Sequence, residues 1–158
     1  MNFRIPKYFL LVCALFSLGA CSAGVGSNDA GSATGGAIEF AAADVCFEEA
    51  DPNCVAVMGE NLMLTFTFER AGVEDATVAE GQGPNTVDVT FTKDGAAVLR
   101  TVTAEAAQAG DSARLVMKIG EEIHSVVTVM QAIDDGRTQI DLRPDVSAQE
   151  GIDLIRAG

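Results

Sequence analysis

The sequence predicts an α+β domain, in which a mainly antiparallel sheet carries two helices packed on one face. Apolar and polar residues alternate along several stretches, which is typical of half-buried strands, and two other stretches carry apolar residues at helical spacing. The predicted order is strand, strand, helix, strand, strand, strand, helix. Because most links are of hairpin length, neighbouring strands are expected to pair antiparallel, with the helices on one side.

The first two strands are predicted from strict alternation in residues 61–70, "NLMLTFTFER", and residues 86–94, "TVDVTFTKD". The turn-rich segment "EGQGPN" comes shortly before the second of them. The side chains expected to face the core are Leu62, Leu64, Phe66 and Phe68 in the first strand, and Val87, Val89 and Phe91 in the second. Each strand is therefore expected to bury one face and to expose the other.

The first helix is predicted to run to about Gln108, with Asp94 as its N-cap and Gly110 closing it. Its apolar stripe consists of Leu99, Val102 and Ala106. This helix connects the strand before it to the strand after it. Such a strand–helix–strand connection is the one link in the chain that could join parallel strands. A right-handed crossover is expected if it does.

Three further strands and a helix are predicted after this point. "ARLVMKIG" and "EEIHSVVTVM" read as two strands joined at Gly120-Glu121, and "TQIDLR" as a third that Pro144 stops. Asp134-Asp135-Gly136 has the composition of a tight turn. Ser147 is the preferred N-cap of the last helix, "AQEGIDLIRAG", and Asp145 is a less favoured one.

The residues before Cys21 have the layout of a secretory signal. Arg4 and Lys7 supply positive charge, residues 8–18 are almost entirely apolar, and small residues precede the cysteine. The apolar run is shorter than the roughly 20 residues that a membrane-spanning helix needs. We therefore expect a secreted or envelope-attached chain.

The four residues Leu18-Gly19-Ala20-Cys21 resemble the lipobox of bacterial lipoproteins. That resemblance implies a signal peptide over residues 1–20 and acyl chains on Cys21, which anchor the chain to a membrane without spanning it. Ser22, in place of an aspartate that would retain the protein at the inner membrane, implies the periplasmic leaflet of the outer membrane in a Gram-negative host. The alternative is a plain signal peptide with an incidental cysteine.

The composition of the remaining chain indicates a tether followed by one domain. Residues 21–36 are rich in Gly, Ser and Ala and are expected to form a flexible tether, and residues 37–158 to form one domain. The net charge is −13, and loss of residues 1–20 removes two cations and no acids, which makes it −15. So acidic a surface argues against nucleic acid or anionic lipid as a partner.

The two cysteines left in the expected domain, Cys46 and Cys54, are predicted to form a disulfide, because an oxidising compartment favours pairing across the Asp-Pro-Asn turn. A metal site would need further Cys or His ligands, and His124 is the only histidine. No metal is expected. No cofactor is expected either, because "GVGSNDAG" lacks the third glycine of a dinucleotide fingerprint and no strand precedes it.

No catalytic residue is predicted. His124 and Ser125 are adjacent in a strand, so they should point to opposite faces and cannot pair as base and nucleophile. His124 is interpreted as a surface or edge-strand residue. The other candidates have structural readings: Glu48, Glu49 and Asp51 as solvated loop acids, Asp141 and Arg143 as a surface ion pair, and Met63, Met117 and Met130 as core-filling strand residues.

Residues 72–158 resemble the head of the periplasmic domain of SecD, a subunit of the SecDF protein-translocation complex. The resemblance includes "VEDATVAEGQGPNTVDVTFTKDGAAVLRTVT" and the later "MKIGEEIHSVV". The matching positions are Asp75-Ala76, Val89, Phe91, Gly95-Ala96, Leu99, Thr103, Ser125, Gly136 and the ending Leu154 to Gly158, whereas Gly120 falls one place early and Val127 replaces a proline.

The resemblance implies a non-catalytic, lipid-anchored envelope protein that contacts extended polypeptides or the secretion machinery. The chain has no membrane helices after this region, so proton-driven translocation is not expected. The open sheet face or an edge strand is the expected contact surface. Two alternatives remain: a passive accessory lipoprotein held by one fixed envelope partner, and a small hydrolase with acids around His124.

Overall fold

The structure is a computed structural model that describes residues 36–47, 51–63 and 65–158. The predicted signal peptide, the predicted lipidation site Cys21 and the predicted tether up to residue 35 lie outside the described residues, as do Glu48, Glu49 and Leu64.

Eight strands and two helices make up the described part of the chain, which confirms the α+β class. Their bounds are β1 Ala37–Asp44, β2 Cys54–Val57, β3 Glu60–Met63, β4 Glu69–Val78, β5 Thr86–Phe91, α1 Lys93–Ala109, β6 Ala113–Ile119, β7 Glu122–Val127, β8 Arg137–Asp141 and α2 Ala148–Ala157. A 3-10 turn, Gly110–Ser112, follows α1. From β5 onward the order is the predicted one.

Six of the strands form one sheet in the order β7-β6-β1-β4-β5-β8, and β2 and β3 form a separate hairpin. Every strand pair is antiparallel. The strands before and after α1, β5 and β6, are separated by β4 and β1. Three antiparallel pairings therefore lie between them, and the two run in opposite directions. The expectation that this step could join parallel strands is wrong.

The first strands along the sequence differ most from the prediction. The central strand β1, "AIEFAAAD", was not predicted because alanine and glutamate have low strand propensity. Its Ile38 and Phe40 are fully buried all the same. The single strand predicted over residues 61–70 is also wrong, since β3 ends at Met63, β4 begins at Glu69, and residues 65–68 form no strand. In that segment the rings of Phe66 and Phe68 pack edge to face with centroids 5.4 Å apart.

The main core lies between the sheet and both helices. The sheet contributes Ile38, Phe40, Val87, Val89 and Phe91, and the helices contribute Leu99, Val102, Ala106, Ile152 and Ile155. The predicted inward residues of β5 and the stripe of α1 are therefore confirmed. A smaller cluster of Ala43, Leu62 and Val116 lies on the other sheet face, where the β2–β3 hairpin covers it.

The predicted disulfide between Cys46 and Cys54 is present, with Cα atoms 6.0 Å apart. It joins the chain just after β1 to the first residue of β2. Val45 bridges Leu62 of β3 beside it, and the Cys46 N–H donates to the Asn61 carbonyl over 3.0 Å. The disulfide thus holds the hairpin against the end of the central strand.

The helix ends follow local chemistry. Gly110 closes α1 at φ 59°, and Ser147 caps α2 by accepting from the Glu150 N–H, both as predicted. The N-cap of α1 is Thr92 rather than Asp94, because the Thr92 hydroxyl accepts from the Gly95 N–H over 3.1 Å. Asp94 lies in the first turn instead, where its negative charge favours the helix dipole.

Gly95 allows α1 to approach β4 closely. A Cβ at this position would overlap the backbone carbonyl of Gly72. The Thr92 N–H also donates to that carbonyl over 2.9 Å, so the first turn of α1 is held against the strand. The Gly-Ala pair that opens this helix therefore has a packing role.

We expect Gly95→Ala to destabilise the domain by roughly 1–3 kcal/mol, because backbone atoms must move to admit the methyl group. In a helix with free space the same change is stabilising by about 0.4–1 kcal/mol. Urea unfolding measures the difference. The control is Ala97→Ser at an exposed position of the same helix, which should change stability by less than about 0.5 kcal/mol. A stabilised Gly95→Ala variant would contradict the close approach.

Candidate functional site

The two edge strands of the sheet approach each other. In a flat sheet β7 and β8 would lie five strand spacings of about 4.8 Å apart, or about 24 Å. Instead Arg143, two residues beyond β8, places its Nη2 2.8 Å from Oε2 of Glu122, the first residue of β7. The sheet is therefore strongly curled, and its two edges face one another across a gap.

A cavity of about 320 Å³ occupies this gap, and we call it the edge cleft. Its floor is apolar and includes Leu115, Met117 and Ile140, which are at most 5% exposed. Its rim includes Gln139 and two exposed apolar side chains, Val127 at 42% and Met130 at 85%. Met130 lies after β7 and fills no core, so that prediction is wrong. Met117 is buried as predicted, and Met63 is half-buried in β3.

The connection from β7 to β8 closes one side of the edge cleft and is tied to α1. Val129 is buried, and the Ile133 N–H donates to the Thr103 hydroxyl over 3.0 Å. Thr103 is itself fully buried and donates to the Leu99 carbonyl over 2.7 Å. One buried hydroxyl therefore fixes the connection relative to the helix.

The outer edge of β8 faces the edge cleft, and part of its backbone has no hydrogen-bond partner among the described residues. On the inner side, the Leu142 N–H donates to the Asn85 carbonyl and the Gly136 carbonyl accepts from the Phe91 N–H. Because backbone groups alternate in direction along a strand, Thr138 and Ile140 also bond toward β5. The N–H and carbonyl groups of Arg137, Gln139 and Asp141 then point away from β5. The Arg137 N–H donates to Asp135 Oδ1 over 3.1 Å, and the Gln139 carbonyl accepts from the Thr138 hydroxyl over 3.3 Å. Among the described residues, the Gln139 N–H and both backbone groups of Asp141 have no partner.

His124 lies in β7, two residues after Glu122, and is 1% exposed. Ser125 pairs with Met117 and Ile123 with Lys118, so His124 is the extra residue of a β-bulge. Among the described residues, neither ring nitrogen of His124 has a hydrogen-bond partner. Burial, and then the positive charge of Arg143, lower the pKa of His124, while Glu122, Asp145 and Glu150 act in the opposite direction.

The predictions for His124 and Ser125 are partly corrected. His124 does lie on an edge strand, but it is not at the surface. The two residues are both buried, because the bulge interrupts the alternation that would have sent them to opposite faces. Since the ring nitrogens have no partner among the described residues, Ser125 and His124 do not form a hydrogen-bonded nucleophile–base pair.

The predicted ion pair between Asp141 and Arg143 is wrong. β8 ends at Asp141, so strand alternation no longer controls the direction of Arg143. Arg143 pairs with Glu122 and lies 3.4 Å from Asp145 Oδ1, while Asp141 accepts from the Thr86 hydroxyl over 2.6 Å. No local sequence signal could have shown the contact with Glu122, which depends on the curl of the whole sheet.

The described residues contain no group of three His, Cys, Asp or Glu side chains that could hold a metal ion. Asp51, in the disulfide loop, accepts from the Asn53 N–H over 2.9 Å, as expected of a turn. In the part of the chain that the structure describes, no helix is both long and apolar enough to cross a membrane.

Comparison with known proteins gives one structural likeness. No protein-family model matches the sequence, and no curated protein is significantly similar to it. Among solved structures, the chain is similar to one of SecDF, described as a membrane component that enhances protein export. The TM-score is 0.48 and the identity is 17%, over 78% of this chain and 63% of the SecDF chain. The likeness leaves the activity of this chain open.

We expect acid to destabilise the domain partly through His124. The unfolded chain takes up a proton near the ordinary pKa of 6.5, whereas the folded state binds it only at lower pH. The free energy of unfolding should therefore be fully retained above 6.5 and fall as the pH drops from there toward the folded pKa. Urea unfolding at about pH 7.5 and about pH 5.5 measures this loss.

The comparison variant for that measurement is His124→Leu, which keeps a buried side chain but cannot titrate. Its stability should fall less than that of the parent chain between the two pH values. Equal losses in both proteins would show that His124 contributes nothing to the pH dependence.

Proposed function

We propose that this chain is a lipid-anchored envelope protein whose domain binds extended polypeptides without catalysis, along the β8 edge of the edge cleft. The observation that carries the proposal is the open edge of β8 beside an apolar floor. The Gln139 N–H and both backbone groups of Asp141 point away from β5 without a partner among the described residues, and Ile140 of the same strand forms part of the floor. An extended segment that pairs with such an edge gains main-chain hydrogen bonds, and the floor receives alternate side chains.

Strand directions limit how the segment can bind. Five antiparallel pairings separate β7 from β8 in the sheet order, so the two edge strands run antiparallel to each other. A segment between them can be antiparallel to one strand only. The Arg143–Glu122 contact narrows the cleft at one end, so pairing is expected along the five residues of β8 rather than along both edges.

The proposed anchor supports this function by holding the domain near its substrate. Lipidation at Cys21 would keep the edge cleft within a tether length of a membrane surface, on the periplasmic leaflet of the outer membrane in a Gram-negative host. The sequence resemblance of residues 72–158 to the SecD head also supports contact with exported polypeptides or secretion components. A passive accessory protein bound to one fixed partner is the competing function.

The first test is Gln139→Pro, measured with the purified chain and a fluorescent extended peptide. Proline removes the outward N–H and disfavours pairing with an added seventh strand, but leaves the inward hydrogen bonds of Thr138 and Ile140. Peptide binding should fall by roughly tenfold or more. Gln139→Ala keeps the backbone donor and should bind like the parent. Unchanged binding by a Gln139→Pro variant with a normal thermal transition would rule out strand addition at β8.

Photo-crosslinking in the native host separates the two functions. A photoreactive residue at Gln139 should capture many exported polypeptides, whereas one at Thr101, on the exposed face of α1, should not. A second probe at Thr90 tests the neighbouring face of β5. A single constant partner at Gln139 would instead favour the accessory function.

A further inference from the structure

The two faces of β8 differ in chemistry. Its even-numbered residues share the core face, because Ile140 pairs with Val87 and Thr138 with Val89. Its odd-numbered residues, Arg137, Gln139 and Asp141, lie on the opposite, outer face, where Asp141 bonds to Thr86. A second depression of about 330 Å³ lies beside β5 and β8, and its lining includes two charged residues, Asp88 and Arg137, together with Thr90 and Gln139.

Side chains of an added strand would also alternate between these faces. One set would enter the apolar floor formed by Leu115, Met117 and Ile140. The other set would lie on the outer face beside β8, within reach of the carboxylate of Asp141. Asp141 accepts a hydrogen bond from Thr86 but forms no ion pair with a described residue, so its charge is available to a ligand.

The net negative charge of the whole chain also favours binding of a cationic ligand. The sequence has 23 acidic and 10 basic residues, and two of the basic ones, Arg4 and Lys7, precede the domain. Arg114, Lys118 and Arg143 each form an ion pair with a carboxylate. The resulting negative field attracts cationic segments and repels acidic ones.

We propose that the edge cleft selects extended segments in which apolar residues alternate with lysine or arginine. This inference rests on the proposed function and specifies its substrate class. The apolar residues enter the floor, and the cationic residues lie on the outer face near Asp141. A cavity of about 320 Å³ is at the lower end of the range for ligand sites, about 300–1,000 Å³, and suits one or two side chains of a passing segment.

The test uses three fluorescent peptides of equal length and the purified chain. One alternates valine and lysine, one alternates valine and glutamate, and one has the lysine peptide's composition with all valines at one end. The alternating lysine peptide should bind at least roughly tenfold more tightly than the glutamate peptide. It should also bind more tightly than the blocked peptide, because only alternation places valine and lysine on different faces.

A matched pair of variants locates the charge effect. Asp141→Asn keeps an oxygen to accept from Thr86 but removes the charge, and should weaken lysine-peptide binding by roughly two- to fivefold. Asp153→Asn changes the net charge equally, also at a carboxylate that accepts one side-chain hydrogen bond, but it lies on the exposed face of α2 and should have no effect. Raising the salt from about 0.1 M to about 1 M shortens the screening length from about 10 Å to about 3 Å and should reduce the preference for lysine.

The outcomes distinguish this inference from the function on which it rests. Equal binding of the lysine and glutamate peptides, with Gln139→Pro still weakening both, would overturn the selectivity and leave strand addition standing. Equal losses in Asp141→Asn and Asp153→Asn, or equal binding of the blocked peptide, would show diffuse charge attraction and also overturn it. Binding of none of the three peptides would overturn the proposed function itself.

Discussion

The arrangement of the whole domain depends on burying one apolar core between a curled antiparallel sheet and two helices. Phe40 of the central strand and Phe91 of β5 pack with ring centroids 5.7 Å apart inside it. α1 can reach this core only because Gly95 lies directly against the backbone of Gly72. α2 also packs against the central strand β4, and the Ala148 N–H at its start donates to the Pro84 carbonyl before β5. The sheet curls over both helices, and this curl brings the edge strands together.

The contact between the two edges is weak compared with the core behind it. The side chains of Arg143 and Glu122 are 30% and 61% exposed, and an ion pair this accessible contributes about 0–1 kcal/mol. It therefore does not cause the curl, which follows from the core packing. Breaking this ion pair would let the edge cleft widen for a free energy of about 0–1 kcal/mol, while the buried floor residues keep their positions. Local openings of this kind are expected where apolar contacts are few, and the floor residues belong to the most buried part of the sheet.

Much of the fold could be predicted from local sequence, and the rest could not for identifiable reasons. The strands and helices from β5 to α2 carry their own alternation, caps and turns, and the structure has them in the predicted order. β1 has no such pattern, because four of its eight residues are alanines, which have low strand propensity. Its burial by β4, β6 and the hairpin comes from parts of the chain that are distant in sequence. The bulge at His124 depends on register with β6, and the edge cleft depends on residues 20 or more positions apart. Local patterns contain no information about either feature.

The size of the edge cleft sets what kind of binding it can support. Stable protein–protein interfaces bury about 1,200–2,000 Å². A five-residue strand and a floor of three or four side chains offer much less than that. Contacts at this site would be short-lived, which is consistent with the proposed transient binding of extended polypeptides. A lipid anchor would compensate for weak affinity, because it restricts the domain to the surface where such segments occur and raises their effective concentration. The proposed weak recognition and the proposed membrane attachment would therefore complement each other, and losing the anchor should reduce capture even with the cleft intact.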